Sequence, residues 1–317
     1  MSESDFCHQI QQYIKQNTPF FFMVDFEKKA PLVFPIAHCE KEGISFHFHA
    51  PKKAHQNIDL EISPISKHTY KAAFEQVSKG IHLGNSFLCN LTFPNAISTA
   101  HNLDSIYHRA QAMYKLKYKD EFVVFSPESF IRIKNNTIST FPMKGTIMAA
   151  VPNAEQQLMN NKKELWEHNT IVDLMRNDLS MIAQEVEVKR FRYISKINTF
   201  RGTMLQTSSE ISGQLAADWP QNFGAMLLKL LPAGSISGAP KDKTVALIQQ
   251  AEIEPRGYYT GVFGTYIDGE VDSAVAIRYV EKKQNGLHYR SGGGITFLSK
   301  MEEEYDEMLK KVYIPTR

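Results

Sequence analysis

Cysteine is scarce in this chain. Only Cys7, Cys39 and Cys89 occur among 317 residues, and their spacing is not that of a metal site. With no secretory leader ahead of them, they are expected as reduced thiols of a cytoplasmic protein. No apolar run approaches the length needed to cross a bilayer. The three phenylalanines at 20–22 are followed at once by Asp25 and Glu27, which is the pattern of a core strand. Neither charge dominates: Lys+Arg number 36 against 34 Asp+Glu, which argues against nucleic acid or an anionic membrane as partner. The glycine-rich stretch from Gly234 lacks the Gly-Lys-Ser/Thr that closes a phosphate-binding P-loop, so a nucleotide site is not expected. There is no internal repeat and no low-complexity segment.

What is present is ordinary for a globular protein, with 43% hydrophobic and 22% charged residues. The length allows one large domain or two small ones. Residues 1–65 read as a short N-terminal region completing the fold, with a helix near 4–16 and strands at 20–26 and 44–48. The polar, turn-rich stretch 51–64 reads as its boundary, and residues 66–317 as the main domain. There, helices are expected at 70–80, 104–115, 241–251 and 301–312, and strands at 86–93, 121–126, 129–134 and 137–141. Residues 162–183 have the clearest helical period. Leu165, Val172, Met175, Leu179 and Ile182 form one stripe, and Glu164, Glu167, Ile171, Leu174 and Asp178 an offset one. Asp268-Gly269 and Asn285-Gly286 mark hairpins near the C-terminus. Antiparallel hairpins interleaved with helices predict an α+β fold.

Lys144 is the residue of most chemical interest. It lies in Pro142-Met-Lys-Gly-Thr146, at an expected strand end beside a glycine turn. A lone lysine in such a place is ordinarily a surface lysine. Pointed into a pocket and partly desolvated, its ammonium loses charge and becomes a nucleophile or base. Glu128, in Ser126-Pro-Glu128, lies one strand upstream. Glu164 and Glu167 share a helix face, and Glu304 and Glu307 repeat that spacing on the last helix. From spacing alone, two solvated acidic faces are the better reading of these pairs. If instead they converge on one cavity, they call for a cation, and an all-oxygen set suits Mg²⁺. Arg176-Asn177-Asp178 reads as a structural polar cluster. Arg278 and Lys311 are candidates to bind carboxylates.

Taken together these blocks resemble the chorismate-utilising enzymes, the family of the anthranilate, aminodeoxychorismate, isochorismate and salicylate synthases. The resemblance rests on Ser126-Pro-Glu128, Pro142-Met-Lys-Gly-Thr146, Glu167-His-Asn-Thr-Ile-Val-Asp-Leu-Met-Arg-Asn-Asp178, Gly234-Ser-Ile-Ser-Gly-Ala-Pro-Lys241, Arg256-Gly-Tyr-Tyr-Thr-Gly261, Ile277-Arg278, Gly292-Gly-Gly-Ile295 and Glu304-Tyr-Asp-Glu307. They occur in family order and span roughly residues 66–317. The resemblance implies two stacked, mainly antiparallel sheets flanked by helices, with the active site between them. It implies that Glu167 and Glu307 ligate Mg²⁺ and that Glu164 and Glu304 hold its waters. It further implies substrate contacts from Gly145, Thr146, Ser237, Gly238, Tyr259, Arg278, Gly292, Gly293, Gly294 and Lys311.

Within the family, Lys144 stands where anthranilate synthases usually carry alanine and where aminodeoxychorismate synthases of the resembling type carry lysine. The lysine that activates water in isochorismate and salicylate synthases is matched here by Leu88. The resemblance therefore implies amination of chorismate to 4-amino-4-deoxychorismate, on the route to para-aminobenzoate and folate. Glu128 would be the general acid and Lys144 a covalent nucleophile. Ammonia would come from a separate glutamine amidotransferase, because no glutaminase nucleophile motif occurs in this chain. Anthranilate synthase component I and a non-catalytic chorismate-binding subunit are the alternatives. Gln206 stands where the family often has histidine. The short N-terminal region, without the Leu-Leu-Glu-Ser inhibitor motif, is expected to lack walls for a tryptophan pocket.

Overall fold

Ser2 opens the first helix. Its hydroxyl accepts from the Asp5 amide at 3.1 Å while the Asp5 carboxylate takes the Ser2 amide, closing a capping box. The computed structural model describes residues 1–49, 58–199 and 202–316. In chain order, α1 (Glu3–Lys15) is followed by β1 (Phe20–Val24), β2 (Leu32–Pro35), β3 (Ile44–Phe48), β4 (Glu61–Ser63) and α2 (Lys67–His82). Next come β5 (Leu88–Ser98), α3 (Leu103–Arg109), β6 (Tyr114–Tyr118), β7 (Phe122–Ser126), β8 (Ser129–Lys134), β9 (Thr137–Thr140) and β10 (Met143–Met148). The middle of the chain forms α4 (Ala154–Asn160), α5 (Lys162–Ser180), β11 (Gln184–Thr199), β12 (Gly202–Gln214), α6 (Trp219–Leu230), α7 (Gly234–Ser237), β13 (Gly238–Ala239) and α8 (Lys241–Ala251). The last part forms β14 (Val262–Ile267), β15 (Glu270–Val275), β16 (Tyr279–Lys283), β17 (Gly286–Thr296) and α9 (Met301–Lys310).

The strands make two sheets, and every described pairing is antiparallel. One runs β10-β12-β9-β8-β15-β14-β1-β2, with β11 also on β12. The other runs β13-β5-β17-β16-β7-β6-β3, with β4 on β5. The α+β class and the two antiparallel sheets are as expected. Side-chain alternation explains the stacking. In β1, Phe21 and Met23 meet Leu116, Phe122, Val124 and Tyr279 of the second sheet, forming the layer between sheets. Phe20, Phe22 and Val24 point the other way, onto Phe6 of α1 and Phe223 of α6. The outer face of the second sheet, with Val123, Phe125 and Val280, is covered by Leu103, Ile106 and Tyr107 of α3. Among the described residues, no helix is long and apolar enough to cross a membrane.

Three local differences have physical causes. The helix expected at 104–115 stops at Arg109. Tyr114, Leu116 and Tyr118 are buried while Lys115 and Lys117 are less so, a period of two that makes β6. Residues 184–214 carry no marked element in the sequence pattern, yet they form the long β11–β12 hairpin. Its first strand is charge-rich, and its pairing shifts register three times. Finally, β10 does not end at Gly145. The strand continues through a bulge between Lys144 and Thr146, with Gly145 at φ +74°. Of the boundary expected at 51–64, residues 51–57 lie outside the described ones, and Glu61–Ser63 is the edge strand β4.

Candidate active site

A cavity of about 530 Å³ opens between β10 and β12 of the first sheet, β5 and β17 of the second, and the helices α5 and α9. It continues into a smaller chamber of about 150 Å³ that reaches Ser235, Tyr259 and Gly292. Its walls collect most of the residues expected to act together.

From the first sheet, the bulge in β10 presents Lys144, Gly145 and Thr146 to the cavity, opposite Met204 and Gln206 of β12. The Thr207 hydroxyl donates to the Lys144 carbonyl and fixes the bulge. From the second sheet come Gly293 and Gly294, the latter paired with Asn90 of β5. A methyl on Gly294 would stand 3.6 Å from Lys144 Nζ, so the lysine reaches across between the sheets. A methyl on Gly293 would lie 3.5 Å from Glu304 Oε2, 3.6 Å from Glu307 Oε1 and 3.6 Å from Lys311 Nζ. Gly292 is excluded from bearing any side chain, since its Cβ would fall 2.1 Å from the Leu91 carbonyl.

Glu128 follows β7. Its amide donates to Ser126 Oγ at 3.1 Å and its carbonyl accepts from the Val275 amide at 3.2 Å. Its Oε1 accepts from Ser235 Oγ at 2.6 Å. Burial raises its pKa, opposed by the Ser235 hydrogen bond and the nearby Lys144 charge. That is the direction a general acid needs. Burial pushes the Tyr259 phenol up to about 12, so it stays a neutral hydrogen-bond donor.

The cations sit at the C-terminal end of α9. Lys311 donates to the Gly292 carbonyl at 2.8 Å and pairs with Glu307 at 2.8 Å. Its side chain is 35% exposed, opening to the cavity. Protein encloses the rest, and desolvation lowers its pKa despite Glu307. Arg278 has a left-handed backbone, φ +55°, unusual for a non-glycine residue and typical of strain held at sites. Its Nη1 donates to the Lys311 carbonyl at 2.6 Å, and its guanidinium lies 4.6 Å over the Tyr313 ring.

Both acidic pairs line the cavity: Glu164 and Glu167 from α5, Glu304 and Glu307 from α9. Asn161 caps α5, its side chain accepting from the Glu164 amide at 3.2 Å. Behind α5, the buried His168 meets Ser209 of β12 at 2.6 Å. Burial, with Arg192 and Lys144 nearby, lowers its pKa to about 4, so it is a neutral tether and not an acid. Among the described residues no three His, Cys, Asp or Glu side chains cluster into a ready-made metal cage. Glu304 accepts from Ser299 at 2.7 Å, and Glu307 pairs with Lys311. The all-carboxylate donor set suits Mg²⁺, but it would supply few protein oxygens at once and leave room for water and substrate oxygens.

Two expected substrate contacts lie elsewhere. The Ser237 hydroxyl turns back to the Ala233 carbonyl at 2.8 Å, fully buried. Gly238 pairs with Cys89, where a Cβ would fall 1.8 Å from the Leu88 carbonyl. Neither lines the cavity. Asp178 is structural, as expected, in a buried pair with Lys241 at 2.9 Å. Ser235, Asn90, Met143, Lys310 and Tyr313 line the site without having been singled out in the sequence.

A second cavity of about 760 Å³ lies between the sheets and is lined by Phe46, His47 and Phe48 of β3. The N-terminal region supplies one wall of it, β3 at the edge of the second sheet, and β8, β14 and β15 supply the others. The Asp272 carboxylate on its wall is already engaged by His49 at 2.7 Å, Tyr114 at 2.8 Å and Arg132 at 3.4 Å. Titration calorimetry with tryptophan is expected to show no saturable binding, and saturation there would identify a ligand pocket.

The cavity between the two antiparallel sheets thus gathers two acidic pairs, the cations Arg278 and Lys311, and Glu128 with Lys144. The model of the chorismate binding enzymes matches residues 36–317, and the chain belongs to that family. It is 49% identical over 322 residues to an uncharacterized PabA-like protein of Pasteurella multocida, covering 99% of both chains. A PabA-like protein of Haemophilus influenzae is also 49% identical, covering 99% of this chain and 98% of that one. Anthranilate synthase component 1 of Leptospira biflexa is 28% identical, covering 82% of this chain and 59% of its own. Among solved structures, anthranilate synthase component I of Streptococcus pneumoniae superposes with a TM-score of 0.67 at 26% identity, covering 81% of this chain and 59% of that one. The menaquinone-specific isochorismate synthase of Escherichia coli shares the fold, with a TM-score of 0.74 at 18% identity over 98% of this chain and 81% of that one.

Proposed function

We propose that this protein is an aminodeoxychorismate synthase component I. It would convert chorismate and ammonia into 4-amino-4-deoxychorismate and water, on the route to para-aminobenzoate and folate. The observation that carries the reading is the meeting of Lys144 and a half-buried Glu128 in one chamber, while the apolar Leu88, 2% exposed, stands beside Gly294. A leucine cannot activate water, which speaks against isochorismate-type chemistry.

In the proposed sequence, Arg278 and Lys311 hold the substrate carboxylates, and Tyr259 donates to the enolpyruvyl group. Glu128 gives its proton to the departing C4 hydroxyl, which leaves as water. Lys144, after losing a proton, bonds to C2, and the ring double bond shifts as the C4–O bond breaks. Ammonia then bonds to C4, the double bond shifts back, and the C2–N bond to Lys144 breaks. Mg²⁺ held by Glu167 and Glu307, with Glu164 and Glu304 on its waters, would neutralise and orient the ring carboxylate. A glutamine amidotransferase would supply the ammonia.

Incubation with chorismate, Mg²⁺ and ammonium is expected to yield 4-amino-4-deoxychorismate by chromatography and mass. The anthranilate synthases among the relatives give the second reading weight. Fluorescent anthranilate as the main product would establish it and remove the first.

A further inference from the structure

We infer that Ser235 is a positioning residue that fixes which oxygen of Glu128 carries the transferable proton. Ser235 Oγ donates to Glu128 Oε1 at 2.6 Å. A gap that short holds one hydrogen on its line. With the serine hydrogen there, the carboxylic proton sits on Oε2, and the acid presents one defined donor to the cavity.

The serine is itself firmly held. It lies on the single turn α7, at the wall of the inner chamber. The preceding Gly234 presses against α5, where a methyl would fall 2.9 Å from Leu174 and 3.0 Å from Asp178 Oδ2. The following Ile236 gives its carbonyl to Arg256 Nη1 at 2.8 Å. Arg256 is fully buried and also donates to the Asn90 carbonyl at 2.7 Å and to Glu252 Oε1 at 2.6 Å. The turn is thus clamped between the helix that carries Glu164 and Glu167 and the strand that carries Asn90. Ser235 cannot drift from Glu128 without breaking these contacts.

The inference rests on Glu128 being the acid. The charged and titratable groups that line the chamber with it are Lys144, Arg278, Lys311, Tyr259, Tyr289 and Arg290. The Ser235 hydrogen bond favours the ionised carboxyl, against the larger effect of burial. Activity needs the protonated acid and falls as pH rises through its pKa. Without Ser235 that pKa goes higher, and the alkaline limb moves to higher pH.

The test measures kcat and KM for chorismate against pH, with free ammonia held constant at each pH. For Ser235→Ala the expected result is a kcat lower by about tenfold or more, little change in KM, and an alkaline limb displaced upward. Ser235→Thr, which keeps the hydroxyl, is expected to restore both rate and limb. If circular dichroism shows Ser235→Ala misfolded, Ser235→Cys, a similarly small but weak donor, carries the same expectation. An unmoved limb, or failure of threonine to restore it, overturns the inference. Glu128→Gln separates the two levels. Wild-type turnover in that variant removes the acid assignment itself, whereas an inactive Glu128→Gln with an unaffected Ser235→Ala removes only the role of Ser235.

Discussion

Chorismate supplied without ammonia is expected to leave a covalent adduct on Lys144, seen as a mass increase on the peptide that contains it. The geometry favours such capture. Lys144 sits in a bulge, so its backbone is fixed by β12 while its side chain reaches to within 3.6 Å of the space above Gly294 on the opposite sheet. A ring seated there lies between the amine and the acid. With no second nucleophile to expel the lysine, the intermediate accumulates. Lys144→Ala is expected to abolish the adduct and to slow formation of 4-amino-4-deoxychorismate by about 10²-fold or more. Direct attack by ammonia remains open to that variant, with diversion toward anthranilate. A Lys144→Ala enzyme that aminates C4 at the wild-type rate would exclude the covalent route.

Much of this site was legible in the sequence because its chemistry sits in short contiguous blocks. Glu164 and Glu167, three residues apart on one helix, had to share a face, as did Glu304 and Glu307. Asp268-Gly269 had to turn tightly, and both residues adopt positive φ, +51° and +79°. Other features depend on long-range packing. Gly145 reads as a turn because glycine permits positive φ, but only pairing with β12 decides that the same φ serves a bulge inside a strand. Ser235 and Ser237 are indistinguishable in Gly-Ser-Ile-Ser. On a helical turn they point about 200° apart, so the fold sends one to Glu128 and the other into the core. Along β11 the alternation of Glu185-Val-Glu-Val188 is broken by register shifts at Val188/Arg190 and Arg190/Tyr193, which leave Phe191 exposed and Arg192 buried, so packing against β12 and not a continuous period of two marks this strand.

Glu167→Gln is expected to lower activity by about 10²-fold at a given Mg²⁺ concentration, with the far-ultraviolet circular dichroism unchanged. The argument begins from charge. Glu164, Glu167, Glu304 and Glu307 line one cavity, and such a set is stable only with compensating positive charge. Lys311 supplies part of it to Glu307 at 2.8 Å. In the proposed mechanism a divalent cation held by these carboxylates would supply the rest. Glu167 is tested as the metal-ligand position on α5, which lines the cavity beside Glu164. Glu307→Gln also removes the partner of Lys311, so its loss of activity mixes metal binding with a displaced cation. Glu304 is 3% exposed and bonded to Ser299, so its replacement risks the fold. Added Mg²⁺ is expected to recover part of the Glu167→Gln activity, since weaker binding yields to mass action. Calorimetric titration with Mg²⁺ in the presence of chorismate is expected to show the matching loss of affinity. Full turnover by the wild-type protein after exhaustive chelation would remove the metal from the mechanism. The four carboxylates would then need another source of positive charge, which the cations at the end of α9 would have to provide.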